Sequence, residues 1–368
     1  MKTLTANYRS NRLYDLENMI NSDFPDKKIA YFDIETTGLS PAYNKIYLIG
    51  AAYKNDDDSF TIIQWFDDTG KDEMKLLIKF REFLKRFDYL VEFNGNSFDI
   101  PFVTERGKKN GVTISFDKIA PIDIYKDIKK FKNLFKIPNV KQKTLEKFLG
   151  INRMDMYSGG ELIDIYNNYV KTGSNNEEYL NLLLLHNLDD MKGLVDICDI
   201  LPYVRLFEGH FCLKKITLID NNAMIECNID TPLPVEIFDL NDKISFKAYE
   251  NTLKLLIPIT TGTFKYFYEN YKDYFYLPYE DTAIHKSVAQ FVDKDCREKA
   301  KKENCYVKKE GAFLVQYSEI IKPAFKENYK DKVSYFEINE DIISEILKNE
   351  DKKTMFEEYI KCVMGRFI

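Results

Sequence analysis

Apolar stretches with the pattern of β-strands occupy the start of the first half of the chain. They span residues 29–34, 46–53 and 59–66 and are separated by polar turn residues. From residue 74 to residue 87 the apolar positions recur at helical spacing, and residues 89–93 form a fourth strand-like stretch. Three strands, a helix and a further strand predict a mixed β-sheet with helices packed on it, which is an α/β fold.

The later part of the chain changes its pattern at about residue 208. Before that point helical patterns dominate, at residues 122–131, 144–149, 161–169 and 177–206. After it, strand-like segments predominate, with helical patterns near residues 283–299 and 340–363.

At 368 residues the chain is long for one domain, so we predict more than one core. The polar residues 1–28, with a short helix at 13–20, are interpreted as an N-terminal extension. Residues 29–207 are predicted to form the α/β domain. Residues 208–368 are predicted to form a second, smaller α+β domain. The aromatic run at residues 263–278 could stack on nucleic-acid bases or simply fill the core of that domain.

Charge and composition narrow the functional classes. The chain has 53 Lys and Arg against 59 Asp and Glu, a net charge of -6, so nucleic-acid binding over the whole surface is not expected. No apolar run approaches the roughly 18 residues of a membrane helix, and the first ten residues lack the apolar core of a secretion signal. The six cysteines show no C-x-x-C pair. We expect a soluble, cytoplasmic protein without a disulfide framework and without a membrane partner.

Asp33 and Glu35 carry the first sign of chemistry. They lie two residues apart at the end of the first apolar stretch, and side chains at i and i+2 of a strand project from the same face. Two neighbouring anions are costly to desolvate, and a divalent cation bound by carboxylate oxygens removes that cost. The pair therefore predicts a metal site that could activate water or stabilise a phosphate.

Three further candidates follow along the chain. Asp99 comes just after the fourth strand, and it could serve as a helix N-cap, a metal ligand or both. His186 and Asp190 are four residues apart in the last predicted helix and share one face. The alternative is a solvated helix face that carries Asp189 and Asp190, although His186 directly follows an apolar run.

These segments resemble the three motifs of the DEDD 3'-to-5' exonucleases. The motifs are Asp33-Ile-Glu-Thr-Thr-Gly-Leu39, Asn94-Gly-Asn-Ser-Phe-Asp99 and His186-Asn-Leu-Asp-Asp190. The first two are similar to those of family B DNA polymerase proofreading domains. The chain also resembles the YprB-type ribonuclease H-like family, including stretches similar to residues 143–153 and 158–161. The resemblance covers residues 29–207 and implies a ribonuclease H-like mixed sheet flanked by helices.

The resemblance also implies cofactors and roles. Two Mg²⁺ or Mn²⁺ ions are expected, one with Asp33, Glu35 and Asp190 and one with Asp33 and Asp99, roughly 3.5 to 4 Å apart. His186 is expected to orient or deprotonate the attacking water. One departure stands out: relatives have a tyrosine four residues before the last aspartate or a histidine five before it, whereas this chain has a histidine at four.

Residues that directly follow the strands are predicted to contact the substrate. In similar exonucleases the stretch that matches Thr36, Thr37, Gly38 and Leu39 meets the terminal nucleotide, with the leucine against the base. Asn94 is a candidate contact on the same grounds. Ordinary turn roles for Gly38 and Asn94 are the alternatives.

The sequence therefore favours a metal-dependent 3'-5' exonuclease that acts on nucleic acid. The polymerase-like motifs favour single-stranded DNA over RNA as the substrate. A non-catalytic nucleic-acid-binding or scaffolding protein on an exonuclease-like fold is the alternative from another class. A structure-specific endonuclease with the same metals is a third possibility.

Overall fold

The computed structural model describes residues 1–153, 157, 159–240 and 243–368. The chain divides into two compact units, Met1–Val204 and Arg205–Ile368. The sequence places the boundary a few residues later, between 207 and 208. Ser158, part of the 158–161 stretch noted above, lies outside the described residues.

The first unit contains a six-stranded sheet and eight helices, the last of which runs into the second unit, among the residues described. The strands are β1 (Lys2–Tyr8), β2 (Ile29–Thr36), β3 (Ile46–Lys54), β4 (Phe60–Phe66), β5 (Tyr89–Glu92) and β6 (Ala120–Asp123). The helices are α1 (Leu16–Asp23), α2 (Glu73–Leu84), α3 (Asp99–Lys109), α4 (Ile124–Ile128), α5 (Gln142–Leu149), α6 (Gly159–Lys171), α7 (Glu177–Asp196) and α8 (Leu201–Glu208).

The sheet of the first unit is mixed, as the sequence predicts. Its strand order is β1-β4-β3-β2-β5-β6. The pairs β1–β4, β4–β3 and β3–β2 are antiparallel, whereas the pairs β2–β5 and β5–β6 are parallel. This places β2, which carries Asp33 and Glu35, in the centre of the sheet, with α7 packed against it.

The two faces of β2 have different environments because its side chains alternate. Ala30, Phe32 and Ile34 pack into an apolar core with residues of α2 and α3. The opposite face carries Tyr31, Asp33 and Glu35, and this face meets α7. The alternation thus separates the carboxylates from the main core and directs them towards one helix.

The N-terminal segment is not the extension that the sequence predicts. Lys2–Tyr8 pairs residue by residue with β4 and forms an edge of the sheet. Beyond it, Arg12 contacts the carboxylate of Glu17, donates to the Tyr31 hydroxyl (2.9 Å) and lies over the Phe60 ring. Residues 1–17 are therefore part of the first unit, and the short predicted helix is present as α1.

The long helix predicted for residues 177–206 is divided. Helix α7 ends at Asp196, a 3₁₀ turn spans Ile197–Ile200, and α8 begins at Leu201. Pro202 lies in the first turn of α8, where its missing N–H costs nothing. The predicted helix at 122–131 is likewise shorter, because residues 120–123 form strand β6.

The second unit is mainly β-structure with two C-terminal helices. Its strands are β7 (Phe211–Ile219), β8 (Asn222–Asp239), β9 (Ser245–Pro258), β10 (Thr260–Phe267), β11 (Tyr274–Leu277), β12 (Thr282–His285), β13 (Glu298–Lys299), β14 (Tyr306–Gln316) and β15 (Ser334–Glu337). They form three sheets, ordered β7-β8-β9, β10-β14-β15 and β12-β11-β13. The helices are α9 (Lys286–Ala289), α10 (Glu340–Lys348) and α11 (Glu350–Met364).

Two sequence predictions for the second unit need correction. The helix predicted near residues 283–299 is wrong, because residues 282–285 pair with β11 and the rest holds only the short helix Lys286–Ala289 and a 3₁₀ turn at Lys294–Cys296. The apolar residues Val288 and Phe291 are 57% and 84% exposed, so they form no buried helix face. The segment at 340–363 is helical but divided at Asn349, whose side chain accepts a hydrogen bond from Lys352 N (3.0 Å) and caps α11.

The aromatic run of the second unit is partly core and partly half-buried surface. Phe264 packs with Phe313 and Phe325 in one cluster. The ring centroid of Phe313 lies 4.8 Å from that of Phe264 and 5.2 Å from that of Phe325. Tyr268 and Tyr274 stack on each other at 4.3 Å. Most of these rings therefore already have an aromatic partner within the unit.

Two whole-chain features complete the description. All six cysteines are free thiols. Within the part of the chain that the structure describes, no helix is both long and apolar enough to cross a membrane.

The buried Arg12 contacts generate a prediction about stability. Arg12→Ala is expected to lower the free energy of unfolding by about 3 to 5 kcal/mol, because it leaves the Glu17 carboxylate buried without its cation. Urea denaturation measures this change. Arg9→Ala is the matched control, since Arg9 is 72% exposed and its contact with Asp57 is 3.7 Å long. Equal effects of the two substitutions would contradict the prediction.

Candidate active site

Strands β2 and β5 stop pairing just before the candidate carboxylates of β2. Strand β5 pairs with β2 only from Ile29 to Tyr31, so the following residues of β2 have no strand neighbour on that side. Asp33 and Glu35 lie in this unpaired part, on the face that meets α7. The chain leaves β5 at Glu92, turns, and enters α3 at Asp99. The carboxyl ends of β2 and β5 thus converge at one edge, where open sheets bind ligands.

Asp99 reaches this edge from the first residue of α3. Its carboxylate hydrogen bonds to the backbone of Ile34, the residue between Asp33 and Glu35, and Asp99 is only 6% exposed. The N-cap interpretation of Asp99 is wrong, because Phe98 is the N-cap residue and Asp99 is already helical. The structure therefore joins Asp99 to the strand that carries the other two acids.

His186 and Asp190 complete the group from α7. The His186 Nε2 atom lies 3.1 Å from Asp190 Oδ2 and 3.5 Å from Glu35 Oε1. The solvated-face alternative is wrong, since His186 is 5% and Asp189 is 6% exposed. Glu35, His186 and Asp190 each offer one ligand atom, and these atoms lie within 4.8 Å of one another.

The electrostatics of the group follow from its burial. Desolvation, and then the charges of Glu35, Asp99 and Asp190, raise the pKa of Asp33 well above its usual value. Desolvation also raises the pKa of Asp99 to about 7. In the absence of a cation, Asp33 and Asp99 therefore hold a proton more tightly than exposed carboxyl groups do.

Asp190 behaves in the opposite way. Burial acts to raise its pKa, but the hydrogen bond and charge of His186 and the charge of Arg153 outweigh burial, so that the pKa of Asp190 lies below its ordinary value. Arg153 contacts Asp190 Oδ1 directly. His186 and Arg153 thus favour the ionised form of the last aspartate.

Several residues at the site were not found by sequence reasoning. Asn187 is fully buried, and its Nδ2 donates to Asp33 Oδ2 (3.1 Å), while its Oδ1 accepts from Gln64 Nε2 (3.0 Å). Gly50 lies opposite Asp33 on β3, and a Cβ at Gly50 would come within 2.4 Å of Asn187 Oδ1. An isolated glycine inside a strand pattern was the available signal for this close approach.

Tyr47 and Arg153 were also missed. The Tyr47 hydroxyl hydrogen bonds to Glu35, and burial, followed by the Glu35 charge, raises the pKa of Tyr47 well above its usual value. Arg153 ends the stretch that resembles the YprB-type family, yet nothing in its local sequence indicates a contact with Asp190. Tyr47 lies outside every stretch singled out in the sequence, and Arg153 lies in one to which no contact with the acids was assigned.

The predicted substrate residues form a braced turn beside the acids. The Thr36 hydroxyl donates to Gly38 O (2.8 Å), and the Thr37 hydroxyl accepts from Lys45 N (3.0 Å). Gly38 has a φ of 153°, and a Cβ there would overlap the Asn44 side chain at 2.6 Å, so glycine is required. Leu39 follows at 84% exposure. A hydrogen-bonded turn thus presents one exposed apolar side chain shortly after Glu35 in the chain.

Asn94 lies on the other side of the edge, in the turn after β5. It has a φ of 64°, a conformation that asparagine tolerates better than most residues, and its N–H donates to Asp123 Oδ1 (3.0 Å). The turn role is therefore present, and Asn94 is half-buried.

The donor set suits hard divalent cations. Carboxylate oxygens with one imidazole are ligands for Mg²⁺ or Mn²⁺, and the raised pKa values of Asp33 and Asp99 show that their ionised forms are disfavoured, a cost that a bound cation would offset. Asp33 and Asp99 lie outside the tight group of Glu35, His186 and Asp190 but interact with it electrostatically. The residues present therefore fit the expected metal.

Comparison with known proteins identifies the class of the first unit. Residues 30–201 match the family model RNase_H_2, which describes the RNase_H superfamily. This part of the chain is therefore a ribonuclease H-like domain. The match confirms the ribonuclease H-like fold that the motifs predict, with its mixed sheet flanked by helices.

Individual relatives share only part of the chain. DNA polymerase 1 of Aeropyrum pernix is 31% identical over 88 residues, which are 24% of this chain and 8% of that protein. The structure of the family B DNA polymerase from the archaeon Pyrobaculum calidifontis is 21% identical, with a TM-score of 0.40, and the match covers 50% of this chain and 26% of that one. E. coli exonuclease I in complex with an oligonucleotide is 13% identical, with a TM-score of 0.29, and the match covers 34% and 37%. The chain thus spans well under half of each relative.

The raised pKa of Asp99 predicts how pH affects the metal-free protein. The folded pKa of about 7 lies above the ordinary 3.8, so Asp99 contributes stability that is present below pH 3.8 and is lost as the pH rises through about 7. In the presence of a chelator, the melting temperature should therefore fall between about pH 5 and about pH 8. Asp99→Asn should flatten this fall, and an unchanged slope in that variant would contradict the assignment.

Gly50 predicts a second effect on stability. Gly50→Ala should lower the free energy of unfolding by about 1 to 3 kcal/mol, because the added Cβ overlaps Asn187 and Met191. Gly160→Ala on the surface of α6 is the control, since a Cβ there meets nothing within 4 Å. Urea denaturation of both variants makes the comparison. A neutral Gly50→Ala would mean that the contact with Asn187 is not tight.

Proposed function

We propose that the protein is a metal-dependent 3'-5' exonuclease that hydrolyses phosphodiester bonds at nucleic-acid 3' ends, with single-stranded DNA as the preferred substrate. One observation carries the proposal. Carboxylates from β2, α3 and α7, which are far apart in the chain, converge at one edge of a ribonuclease H-like sheet. Burial of so many like charges is costly, and bound cations offset that cost.

The proposed site divides the carboxylates between two ions. Asp33, Glu35 and Asp190 would hold one Mg²⁺ or Mn²⁺, and Asp33 and Asp99 would hold the other. Such ions supply an activated water and stabilise the charge on the leaving 3' oxygen. The contact between the Asp99 carboxylate and the Ile34 backbone supports this division, because it keeps Asp99 beside the strand of Asp33.

His186 is proposed to handle the proton of the attacking water. Its Nε2 lies between Asp190 and Glu35, both within 3.5 Å, so the imidazole is held in one orientation. In this arrangement Nε2 donates to Asp190, so the role requires that cations take over the carboxylate oxygens, which would free the imidazole to orient the attacking water or accept its proton. The four-residue spacing to Asp190 places the two side chains on one helix face, which is the geometry this role needs.

The turn at residues 36–39 is proposed to receive the 3'-terminal nucleotide. Leu39 is 84% exposed and would pack against the terminal base, while the braced backbone of Thr36, Thr37 and Gly38 would lie near the sugar. Asn94 would contact the substrate from the opposite side. An exposed apolar side chain is best covered by a base that is not paired, which favours a single strand.

Two other functions use the same surface. A non-catalytic nucleic-acid-binding or scaffolding protein would have no need for buried carboxylates whose mutual repulsion destabilises the fold. A structure-specific endonuclease would share the metals and the acids but cut within the strand. The products of digestion separate these alternatives.

Asp33→Asn tests the proposed catalysis. The variant should lose at least about 1000-fold in hydrolysis of a single-stranded oligonucleotide in Mg²⁺ or Mn²⁺, because removal of this charge affects both ions. On a 3'-labelled strand the wild-type protein should release labelled mononucleotides, and on a 5'-labelled strand it should give a ladder that shortens with time. Matched RNA and DNA strands measure the preference for DNA.

The control is Asp56→Asn, which removes an exposed carboxylate at the β3–β4 turn and should leave the rate unchanged. Full activity of Asp33→Asn would remove the mechanism. Internal cuts by the wild-type protein would favour the endonuclease, and binding without products would favour the non-catalytic alternative.

A further inference from the structure

Arg153 contacts the candidate site through a network that the proposed mechanism does not use. Its Nη2 pairs with Asp190 Oδ1, and its Nη1 lies 3.0 Å from both carboxylate oxygens of Glu146. The Arg153 side chain is 10% exposed and that of Glu146 is 1% exposed. One guanidinium thus links a buried carboxylate of α5 to the last aspartate of the site.

Hydrogen bonds and close packing between α5 and α7 hold Glu146 in place. Gln142 Nε2 donates to Glu146 Oε1 (2.9 Å) and to the backbone oxygen of Asp190 (3.0 Å). A Cβ at Gly193 would lie 2.0 Å from Glu146 Oε1, so only glycine at this position lets the carboxylate approach α7. Gly193 is three residues after Asp190, on the same side of the helix. The anchor of Arg153 is therefore fixed relative to Asp190.

The Asp190 carboxylate is consequently held from two sides. Oδ1 faces Arg153, and Oδ2 lies 3.1 Å from His186 Nε2. An ionised carboxylate offers about four acceptor positions, so each oxygen retains a lone pair for a further ligand. Arg153 also shares its single charge between two carboxylates, so Asp190 is oriented without being fully neutralised.

We propose that Arg153 is a positioning residue that orients the Asp190 carboxylate for a divalent cation, with Glu146 as its anchor. This inference rests on the proposed function, because it assigns Asp190 to a metal. Partners that hydrogen bond to a ligating carboxylate typically affect metal affinity or activity by about 10- to 100-fold. A purely structural ion pair would instead affect stability and leave metal binding unchanged.

Mn²⁺ binding to the substrate-free protein tests the inference, measured by isothermal titration calorimetry. Arg153→Gln should weaken Mn²⁺ binding by about 10-fold or more, while Arg153→Lys should recover part of the loss because it keeps the charge. On a 3'-labelled single-stranded oligonucleotide at limiting Mn²⁺, Arg153→Gln should lower kcat with little change in KM. Arg81→Gln, in an exposed pair with Glu82, is the matched control and should bind Mn²⁺ as the wild type does.

A double-mutant cycle shows whether Arg153 acts through Asp190. In the background of Asp190→Asn, the additional substitution Arg153→Gln should cause little further loss of Mn²⁺ affinity. The same loss in both backgrounds overturns the inference, as does wild-type Mn²⁺ affinity in Arg153→Gln. If Arg153→Gln does not fold, Glu146→Gln carries the test: an affinity lowered by at least about 3-fold supports the inference, and an unchanged affinity overturns it.

The two proposals fail in different ways. If wild-type protein binds Mn²⁺ but cleaves no oligonucleotide, the proposed function is wrong, and weaker Mn²⁺ binding by Arg153→Gln still supports the positioning role. If wild-type protein cleaves and Asp33→Asn does not, but Arg153→Gln binds and cleaves as the wild type does, only the positioning role is wrong.

Discussion

Repulsion among buried carboxylates dominates the first unit of this protein. Asp33, Glu35, Asp99 and Asp190 lie where the central strand loses its neighbour, and burial together with their mutual charges raises the pKa of Asp33 well above the ordinary value. Packing alone does not relieve this repulsion, because the cost lies in the charges. The surrounding hydrogen bonds and ion pairs offset part of this repulsion, and bound cations would offset the rest.

The compensations come from groups of different kinds. Asn187 donates to Asp33, the backbone of Ile34 contacts Asp99, and Tyr47 hydrogen bonds to Glu35. Asp190 is contacted by both His186 and Arg153, and its pKa is lowered, whereas the pKa values of Asp33 and Asp99 are raised. The ionised forms of Asp33 and Asp99 therefore remain disfavoured, whereas that of Asp190 is favoured by His186 and Arg153.

Local periodicity explains how much of the site could be predicted. Asp33 and Glu35 share a face because strand side chains alternate, and His186 and Asp190 share a face because helical side chains repeat every three or four residues. The long-range contacts have no such rule. Arg153 reaches Asp190 across 37 residues, and Asn187 reaches Gln64 across 123. Sequence reasoning therefore located the acids but not the residues that orient them.

The same limit applies to the fold. Strands β2, β3 and β4 are rich in apolar residues and mostly buried, so their sequence pattern is clear, whereas β1 alternates between exposed and half-buried positions and has no buried face. Residues 1–28 consequently looked like an extension, although β1 forms a complete ladder with β4. In the second unit, the pattern near residues 283–299 indicated a helix, although Val288 and Phe291 are exposed and residues 282–285 form a strand.

The contact between Asp99 and the backbone of Ile34 has an evolutionary consequence. Because the contact is made by the main chain, the identity of the side chain at position 34 does not enter into it, and every amino acid except proline supplies the same N–H. Substitutions that repack the apolar side of the strand can therefore accumulate without displacing the acid on α3. Substitutions in the apolar core and substitutions around the candidate site can therefore accumulate independently of each other, although strand β2 contributes to both.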